Sequence, residues 1–355
     1  MSPIRSASRR LRAAGAAVLG ALCAGAGVGV TPALAQSHTF YVAAGHSIQA
    51  AVDRAGPGDT IRLAPGVYRQ QVTISVADVT LEGAGPQTVI TPPAGMPGAS
   101  CPGASVPVGI CVARPDLTPL GAVRVTALEV DGVHGIGVLL AGTSGARVDH
   151  VVARDDGEEG IEALGSTGTL IDHDFASGGG SAGIAIAGQP FPMPGPPVAL
   201  SADTVVYGND VTRNQRGIFI RDASNGTVAG NRIHGNANGI LILRLSADTA
   251  FWNVSDNLVV GNSEPSSATP PVSGVGIGIT GASDVLLRDN VVIGNHPTGP
   301  SLVSGGIVVI SFRGRSGASV APNDDAVVQN RVRDNAPADI ITDNTGTGNV
   351  FAGNR

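Results

Sequence analysis

Lysine is absent from this chain of 355 residues, and all 22 of its basic residues are arginine. Any cationic group in a functional site must therefore be an arginine or a histidine. The 28 acidic residues outnumber the arginines, and the formal net charge is −6. A chain with this balance is not expected to bind nucleic acid, because the phosphate backbone attracts strongly basic surfaces. An anionic partner needs a local cluster of arginines or a bridging metal ion.

Several other features are scarce or missing. Aromatic residues make up only 3% of the chain, which fits a narrow core filled by valine, isoleucine and alanine. No P-loop, CxxC or HExxH pattern occurs. Nucleotide hydrolysis, thiol redox chemistry and zinc proteolysis therefore lack their usual sequence support.

The first 35 residues differ in composition from the rest. Four arginines precede a weakly apolar run from Ala13 to Val30, and Ala33-Leu34-Ala35 is a small-x-small cleavage site. This pattern predicts a secretory signal peptide over residues 1–35, with both Sec and twin-arginine export left open by Arg9-Arg10. The run is too short and too rich in glycine and alanine for stable insertion in a membrane. We expect a secreted, monomeric protein whose mature chain keeps 18 arginines against 28 acidic residues, a charge of −10.

Only two cysteines lie beyond the predicted signal peptide. Cys101 and Cys111 fall within a segment rich in proline and glycine, which we interpret as a loop insertion over residues 92–119. In an exported protein, two such cysteines predict a disulfide that closes one surface loop. They make a poor zinc site, because no pair of histidines lies near them.

The most regular feature of the chain is a series of asparagine pairs spaced five residues apart. A Gly-Ile strand motif follows several of these pairs, and the step from Gly217 to Gly239 is 22 residues. A period of this length with one strand motif in each repeat is typical of a solenoid, in which equivalent residues form columns. The first asparagines of the pairs are expected to form one structural corner column: Asn209, Asn231, Asn257, Asn290 and Asn330.

The segment after the signal peptide predicts the start of this solenoid. Residues Ser47 to Ala55 have apolar positions at helical spacing, with Ser47 as the N-cap, and Pro57-Gly58-Asp59 ends the pattern. We expect a short helix that caps the open end of the core. Together these features predict an all-β protein with a single domain over residues 36–355, in which residues 37–68 form the N-terminal cap and the first strands.

One segment of the chain runs from Ser47-Ile48-Gln49-Ala50-Ala51-Val52 through Pro65-Gly66-Val67-Tyr68-Arg69, and the Asn and Gly-Ile repeats follow it. Together they resemble the right-handed parallel β-helix superfamily. Polysaccharide lyases, mannuronan epimerases and accessory proteins of nitrous oxide reductase maturation belong to it. The resemblance implies a carbohydrate-active protein that binds or processes an acidic, uronate-containing polysaccharide, as a lyase or a C5-epimerase. The alternative is a non-catalytic binding or maturation-accessory protein of the cell exterior or periplasm, so enzyme activity stays open.

The repeat alignment suggests a catalytic column. In three coils, the residue directly after the position aligned with the first asparagine of a pair is charged: Asp174, Asp210 and Arg232. His234 lies two residues beyond Arg232. Because neighbouring coils are about 4.8 Å apart, these side chains are expected to stack on one outer face. Carboxylates, an arginine and a histidine can hold an acidic sugar and transfer a proton. The alternative is an ordinary solvated sheet face with cross-strand ion pairs.

Two Asp-His dipeptides lie one coil apart. The alignment places His150 and His173 in the asparagine column. One interpretation is that they are corner residues that replace asparagine. The other is that they form a functional pair with Asp149, Asp172 and Asp174. Mannuronan epimerases use an Asp-Pro-His-Asp motif, and Asp172-His173-Asp174 lacks its proline.

Two further candidates remain. The acidic run predicts a Ca²⁺ site with the ligands Asp155, Asp156, Glu158 and Glu159, because Ca²⁺ prefers several oxygen ligands in flexible geometry. Pectate lyases typically use an arginine base assisted by Ca²⁺, so the resemblance makes Arg221 and Arg244 a second choice for catalysis. No other cofactor is expected.

Overall fold

The computed structural model describes residues 36–95, 98, 101–188, 200–313 and 317–355. The described part of residues 36–355 is one compact unit. The predicted signal peptide, residues 1–35, and the proline-rich residues 190–197 lie outside the described residues. Within the described ranges, no helix is long and apolar enough to cross a membrane.

The described residues form a parallel β-helix, as the sequence predicts. Each complete coil contributes one strand to each of three long parallel sheets, and the first and last strands of the series add only to sheet 1. Sheet 1 contains Thr39–Val42, Thr60–Leu63, Thr80–Glu82, Arg124–Thr126, Arg147–Asp149, Leu170–Asp172, Ser201–Tyr207, Ala223–Ala229, Ala250–Ser255, Leu286–Arg288, Ala326–Val328 and Val350–Ala352. Sheet 2 contains Gly66–Arg69, Thr88–Thr91, Glu129–Asp131, Val152–Arg154, Phe175–Ser177, Asp210–Thr212, Arg232–His234, Leu258–Val260, Val291–Ile293 and Arg331–Arg333. Sheet 3 contains Val72–Ile74, Val108–Val112, Ile136–Ala141, Glu159–Leu164, Ala182–Ala187, Arg216–Arg221, Asn238–Leu243, Val275–Thr280, Gly305–Ile310 and Ile340–Thr342.

Elements outside these sheets are few among the described residues. The strands Leu120–Gly121 and Thr143–Ser144 pair in parallel, and Phe312–Arg313 pairs with Ser319–Val320 in the antiparallel sense. One helix, Ile48–Val52, begins after Ser47, whose hydroxyl accepts a hydrogen bond from the N–H of Ala50 at 3.1 Å. The helix ends at Val52 and is therefore shorter than the predicted segment, which reaches Ala55.

The core lies inside the coils and consists mainly of aliphatic side chains that alternate with outward residues along each strand. Its largest fully buried side chain is Trp252, whose indole N–H donates to the carbonyl oxygen of Ala223 at 2.9 Å. The indole covers Gly226 of the preceding coil, where a Cβ atom would lie only 2.1 Å from the ring. One aromatic side chain therefore fits because the coil beside it has a glycine.

Asparagine side chains form a continuous buried column at the corner between sheets 1 and 2. In each step, the Nδ2 group donates to Oδ1 of the asparagine in the next coil, for example from Asn209 to Asn231 at 2.9 Å. The same Oδ1 also accepts the backbone N–H of Asn209. The column continues through the following asparagines: Asn257, Asn290, Asn330 and Asn354. These bonds satisfy polar groups that would otherwise be buried without partners.

A second column lies at the corner between sheets 2 and 3. It contains the second asparagine of each pair, and the bond from Asn214 Nδ2 to Asn236 Oδ1 is 2.9 Å. The two columns fix the register of the coils on both sides of sheet 2.

Candidate functional site

Four charged side chains meet on the outer face of sheet 3, and we call them the acid–arginine cluster: Glu159, Glu162, Arg216 and Arg221. The two acids lie on the strand Glu159–Leu164, and the two arginines lie two coils further along on Arg216–Arg221. The coil between them places Ala182, Ala185 and Ala187 at the outward positions. Because alanine leaves the space above its strand open, the long arginine side chains can reach back towards the acids.

Three of the four side chains in the cluster are almost completely buried, and Arg216 is partly exposed. The exposed fraction is 9% for Glu159, 5% for Glu162 and 3% for Arg221. Arg221 Nη2 lies 3.8 Å from Glu162 Oε1, and the guanidinium of Arg216 lies over the ring of Phe219 at 4.7 Å from its centroid. Charged side chains this deeply buried on an outer sheet face are unusual for an ordinary solvated surface.

Burial shifts the ionisation of these groups. It raises the pKa of Glu159, and together with the neighbouring charge of Glu159 it raises the pKa of Glu162. Burial also raises the pKa of Glu158, which lies beside the cluster and is partly exposed, and lowers the pKa of Arg216. Carboxyls with a raised pKa in a protected site are candidates for proton transfer near neutral pH.

The disulfide-closed loop covers the acidic side of the cluster. Cys101 and Cys111 form a disulfide with an S–S distance of 2.03 Å, and Cys111 belongs to the sheet 3 strand Val108–Val112. The predicted loop insertion over residues 92–119 is therefore wrong in extent, because it includes a buried strand of the β-helix. Residues 103–106 lie over Glu158, Glu159 and Glu162 and enclose a cavity of about 10 Å³, room for about one water molecule. The arginine side is less covered, since Arg216 and Leu241 are partly exposed.

Loops fixed by side-chain hydrogen bonds flank this face. The loop of residues 264–272 lies beside sheet 3, because Gln215 Oε1 accepts the N–H of Ser267 and Asn238 donates to the carbonyl oxygen of Val272. On the opposite edge, one carboxyl oxygen of Asp222 accepts three consecutive backbone N–H groups: those of Leu245, Ser246 and Ala247 at 2.8–3.0 Å. The loops therefore border the cluster on two sides.

The structure brings together three of the four residues in the predicted catalytic column. On the outer face of sheet 2, Asp210 pairs with Arg232 across neighbouring coils, and Thr212 pairs with His234. His234 Nε2 lies 3.0 Å from Asp210 Oδ1. Both of its ring nitrogens face polar neighbours, because Nδ1 lies 3.5 Å from the hydroxyl of Thr212.

The predicted position of Asp174 is wrong by one residue. Phe175, and not Asp174, pairs with Asp210. Asp174 instead lies in the asparagine column beside Asn209, buried and directed inward. Burial raises its pKa well above the usual range. It therefore does not belong to the outer face of sheet 2.

The predicted position of the two histidines in the asparagine column is also wrong by one residue. His150 and His173 precede the asparagine column and have positive φ angles of 55° and 59°. Their side chains are 62% and 51% exposed, and the rings stack with centroids 5.6 Å apart. Each Nδ1 lies 2.9 Å from the carboxylate of the preceding aspartate, Asp149 or Asp172. The histidines are therefore outward corner residues.

These aspartates also bind arginines. Arg124 donates two hydrogen bonds of 2.7 Å to Asp149, and Arg147 donates one of 3.0 Å to Asp172. Burial disfavours the charged form of Asp149, but the bonds from Arg124, His150 and Thr126 outweigh it and hold its pKa well below the usual range. This network stabilises the corner in its ionised form.

The sequence matches a family described as the right handed beta helix region over residues 116–295, about half of the chain. The chain belongs to the right-handed β-helix family. A sequence search among curated proteins finds no match.

Solved structures with this fold extend the comparison. The A-module of mannuronan C-5 epimerase AlgE6 from Azotobacter vinelandii aligns with a TM-score of 0.61 at 19% identity, over 86% of this chain and 88% of that one. The periplasmic alginate epimerase AlgG aligns with a TM-score of 0.57 at 14% identity, over 89% and 83%. An alginate lyase from Paenibacillus sp. str. FPU-7 aligns with a TM-score of 0.53 at 15% identity, over 87% and 99%. At these identities, the likeness establishes the β-helix fold alone.

The four predicted Ca²⁺ ligands do not share one site in this β-helix. Asp156 points inward and accepts the N–H of Val133 at 3.0 Å, while Asp155 is an exposed corner residue with a φ of 53°. Glu158 and Glu159 face the disulfide-closed loop. Among the described residues, no group of three or more histidine, cysteine, aspartate or glutamate side chains is arranged to hold a metal ion. The predicted ligand set therefore does not fit Ca²⁺.

Of the second-choice arginines, Arg221 belongs to the acid–arginine cluster, whereas Arg244 pairs with the exposed Asp248 at 2.5 Å. Sequence reasoning did not assign a role to Glu162 or Arg216. The sequence contained one sign of the cluster. When the Gly-Ile strands of successive coils are aligned, the outward positions hold acids in one coil, alanines in the next and arginines in the third.

Proposed function

We propose that this β-helix protein processes an acidic polysaccharide by proton transfer at the acid–arginine cluster of sheet 3. The observation that carries the proposal is the convergence of Glu159, Glu162, Arg216 and Arg221 beneath flanking loops. Titratable groups are rarely buried together on an outer sheet face without a function. Similar structures named as alginate epimerases and an alginate lyase support a uronate polymer as the substrate class.

Each group has a chemical role in this proposal. Two interacting carboxyls in one site ionise in separate steps, so one can be protonated while the other carries charge. The ionised member of the Glu159–Glu162 pair accepts the proton from C5 of a uronate, and the protonated member donates one. Arg216 and Arg221 bind the sugar carboxylate, and their charge lowers the cost of forming the carbanion.

The arrangement favours elimination over epimerisation. Epimerisation at C5 requires removal of a proton from one face of the ring and its return to the other face. Both carboxyls lie on one strand and therefore approach a bound sugar from the same side. The residues opposite them that line the cavity are Gly103, Ala104, Ser105 and Val106, none of which titrates near neutral pH. A donor on the same side can instead protonate the leaving glycosidic oxygen, which is the lyase reaction.

An assay with defined polymers tests the proposal. The mature protein is incubated with alginate, pectate and hyaluronan, with and without Ca²⁺, and the unsaturated uronate product is followed by its ultraviolet absorbance. Proton NMR of the polymer detects epimerisation. We expect elimination by the wild type and about a hundredfold loss in Glu159→Gln and Glu162→Gln. Activity that survives in both variants rules out the cluster as the site of chemistry.

A second candidate function is binding without catalysis. It is favoured by the cavity of about 10 Å³ over the acids, which is too small for a sugar ring unless residues 103–106 move. In this case the protein is a non-catalytic β-helix module of the cell exterior or periplasm. Binding of a polymer that is recovered unchanged after long incubation would distinguish this candidate.

The remaining features fit either function. We infer that the protein is exported by residues 1–35 and acts as a monomer outside the cytoplasm. We also infer that the helix Ile48–Val52 covers the first coil, because Ile48, Ala51 and Val52 are buried against the core. Proteolysis of residues 37–68 before the rest of the chain would argue against this covering role.

A further inference from the structure

A basic and apolar strip runs along the outer face of sheet 2, away from the acid–arginine cluster. It contains Arg232, Leu258, Val260, Val291, Ile293 and Arg331. Arg232, Leu258, Val291 and Arg331 are paired in register on four successive coils, so the two arginines stand three coil spacings apart, about 14 Å. The aliphatic side chains lie between the two cationic ends.

The apolar side chains of the strip are partly exposed to solvent. Leu258 is 37% exposed, and Val260, Val291 and Ile293 are partly exposed. A surface cavity of about 370 Å³ lies at one end, lined by Arg232, His234, Gly235, Leu258, Val260 and Gly261. The core-facing residues of the same strands, such as Val259 and Val292, are fully buried. The fold thus uses the inward positions for its own stability and leaves the outward apolar positions available.

The charge of the strip differs from that of the whole chain. Arg232 and Arg331 are exposed, and neither forms an ion pair with the other described residues, although the chain carries a net charge of −6. Two acidic groups on or beside sheet 2 have other partners, since Asp210 contacts His234 and Asp334 contacts Arg333. An anionic ligand therefore meets two available guanidinium groups on an otherwise acidic protein.

We propose that the strip is an accessory binding surface for a carboxylate-bearing polysaccharide, which lies along the solenoid axis with sugar carboxylates at Arg232 and Arg331. A sugar ring presents C–H groups as well as hydroxyls and a carboxylate, so its apolar side can pack on Leu258, Val260, Val291 and Ile293. Two arginines are too few for the phosphate neutralisation on which nucleic-acid binding depends. The choice of an acidic glycan as ligand rests on the proposed function, but the binding surface is distinct from the proposed site of chemistry.

Binding of a short alginate oligosaccharide, measured by calorimetry at low salt, tests the strip. The variants are Arg232→Gln, Arg331→Gln and the double variant, and the matched control is Arg288→Gln. Arg288 is an arginine of sheet 1 with 40% side-chain exposure that pairs with Asp289. We expect each strip variant to weaken binding about tenfold, because each removes a guanidinium that bonds to a sugar carboxylate. The control should bind like the wild type, and all variants should keep the wild-type thermal midpoint.

The comparison with other ligands and variants separates this proposal from the proposed function. A neutral oligosaccharide should bind to none of the proteins, and added salt should weaken binding of the alginate probe. Glu162→Gln should bind the probe normally even if it is inactive, so loss of activity and loss of binding are independent results. Equal binding by the double variant and the control would overturn the proposal. Tighter binding of a short DNA duplex than of alginate would overturn it in favour of a nucleic-acid surface.

Discussion

Asp174 and Asn209 are neighbours in one buried column, where the backbone N–H of Asp174 donates to Oδ1 of Asn209 at 2.8 Å. Oδ1 of Asp174 in turn accepts the N–H of Val151 at 2.7 Å. Asp174 thus occupies the place of an asparagine, but its second carboxyl oxygen has no hydrogen-bond partner within the described structure. In the asparagines, the corresponding atom is a donor. A carboxyl can supply that donor only when it is protonated.

Asp174→Asn should therefore stabilise the fold near neutral pH, by about 1–3 kcal/mol, because it provides the missing donor. Burial raises the pKa of Asp174 in the folded state, whereas the unfolded chain ionises near its ordinary value of about 3.9. The folded state therefore holds the proton more tightly, and wild-type stability falls as the pH rises above that ordinary value towards the folded pKa.

Urea unfolding at several pH values tests this prediction. The stability difference between Asp174→Asn and the wild type should grow as the pH rises, and Asp256→Asn serves as the control because Asp256 is an exposed corner residue. A difference that is independent of pH would show that Asp174 does not exchange its proton on unfolding.

Glu162→Gln should remove the alkaline limb of the proposed activity. Burial and the charge of Glu159 raise the pKa of Glu162 to about 8. If the protonated carboxyl donates to the leaving group, wild-type activity falls as the pH rises through that value. The residual activity of the variant, about a hundredfold lower, should lack this decline. Glu129→Gln, which alters an acid of sheet 2 that pairs with Arg154, should keep the wild-type profile.

Removal of the disulfide should affect the covering loop more than the β-helix. Cys101 and Cys111 are 10 residues apart, and closing such a short loop contributes no more than about 3 kcal/mol. Thiol titration of the unfolded mature protein should detect no thiols before reduction and both cysteines afterwards. In Cys101→Ser/Cys111→Ser, limited proteolysis should cut first within residues 101–107, which precede the sheet 3 strand Val108–Val112. Two thiols before reduction would contradict the pairing.

Asp222→Ala should destabilise the loop that borders the acid–arginine cluster. The substitution removes the acceptor of three backbone N–H groups and places alanine at a positive φ of 52°. We expect a loss of about 3 kcal/mol in the free energy of unfolding. Asp222→Asn should lose less, since asparagine keeps an acceptor and tolerates this backbone conformation.

The control is Asp248→Ala, which removes the exposed partner of Arg244 and should cost at most about 1 kcal/mol. Hydrogen exchange of the amides at Leu245, Ser246 and Ala247 provides a local readout. If these amides exchange equally fast in the wild type and in Asp222→Ala, the loop does not depend on Asp222.

Much of the fold follows from the sequence because the asparagine and Gly-Ile periods are local signals. The register of the coils before Asn209 does not follow as easily. Asparagine gives way to aspartate at position 174 and to valine at position 151, so the histidines one residue earlier look like the continuation of the column. Gly208 and Gly230 precede asparagines at the same corner and have positive φ angles, as His150 and His173 do. Because glycine favours a positive φ, the glycines before Asn209 and Asn231 were the signal in the sequence for the correct register.

The acid–arginine cluster was harder to predict for a different reason. Glu162 and Arg221 are 59 positions apart in the chain, and their contact depends on which residues are outward in three successive coils. Neither residue belongs to a local motif. The preference for Arg221 came from the family resemblance alone, and the raised pKa of Glu162 depends on burial by a loop whose path the sequence does not specify.

The alanine coil between the acids and the arginines has a consequence for how such a site can change. Duplication of this one repeat would preserve every strand sequence and both asparagine columns. It would nevertheless move Arg221 about 4.8 Å further from Glu162, beyond the reach of an ion pair. Deletion of the repeat would bring the charged strands into direct contact. Distances between groups on this scaffold therefore change in whole steps, by the gain or loss of coils, whereas point substitutions adjust them only within a step.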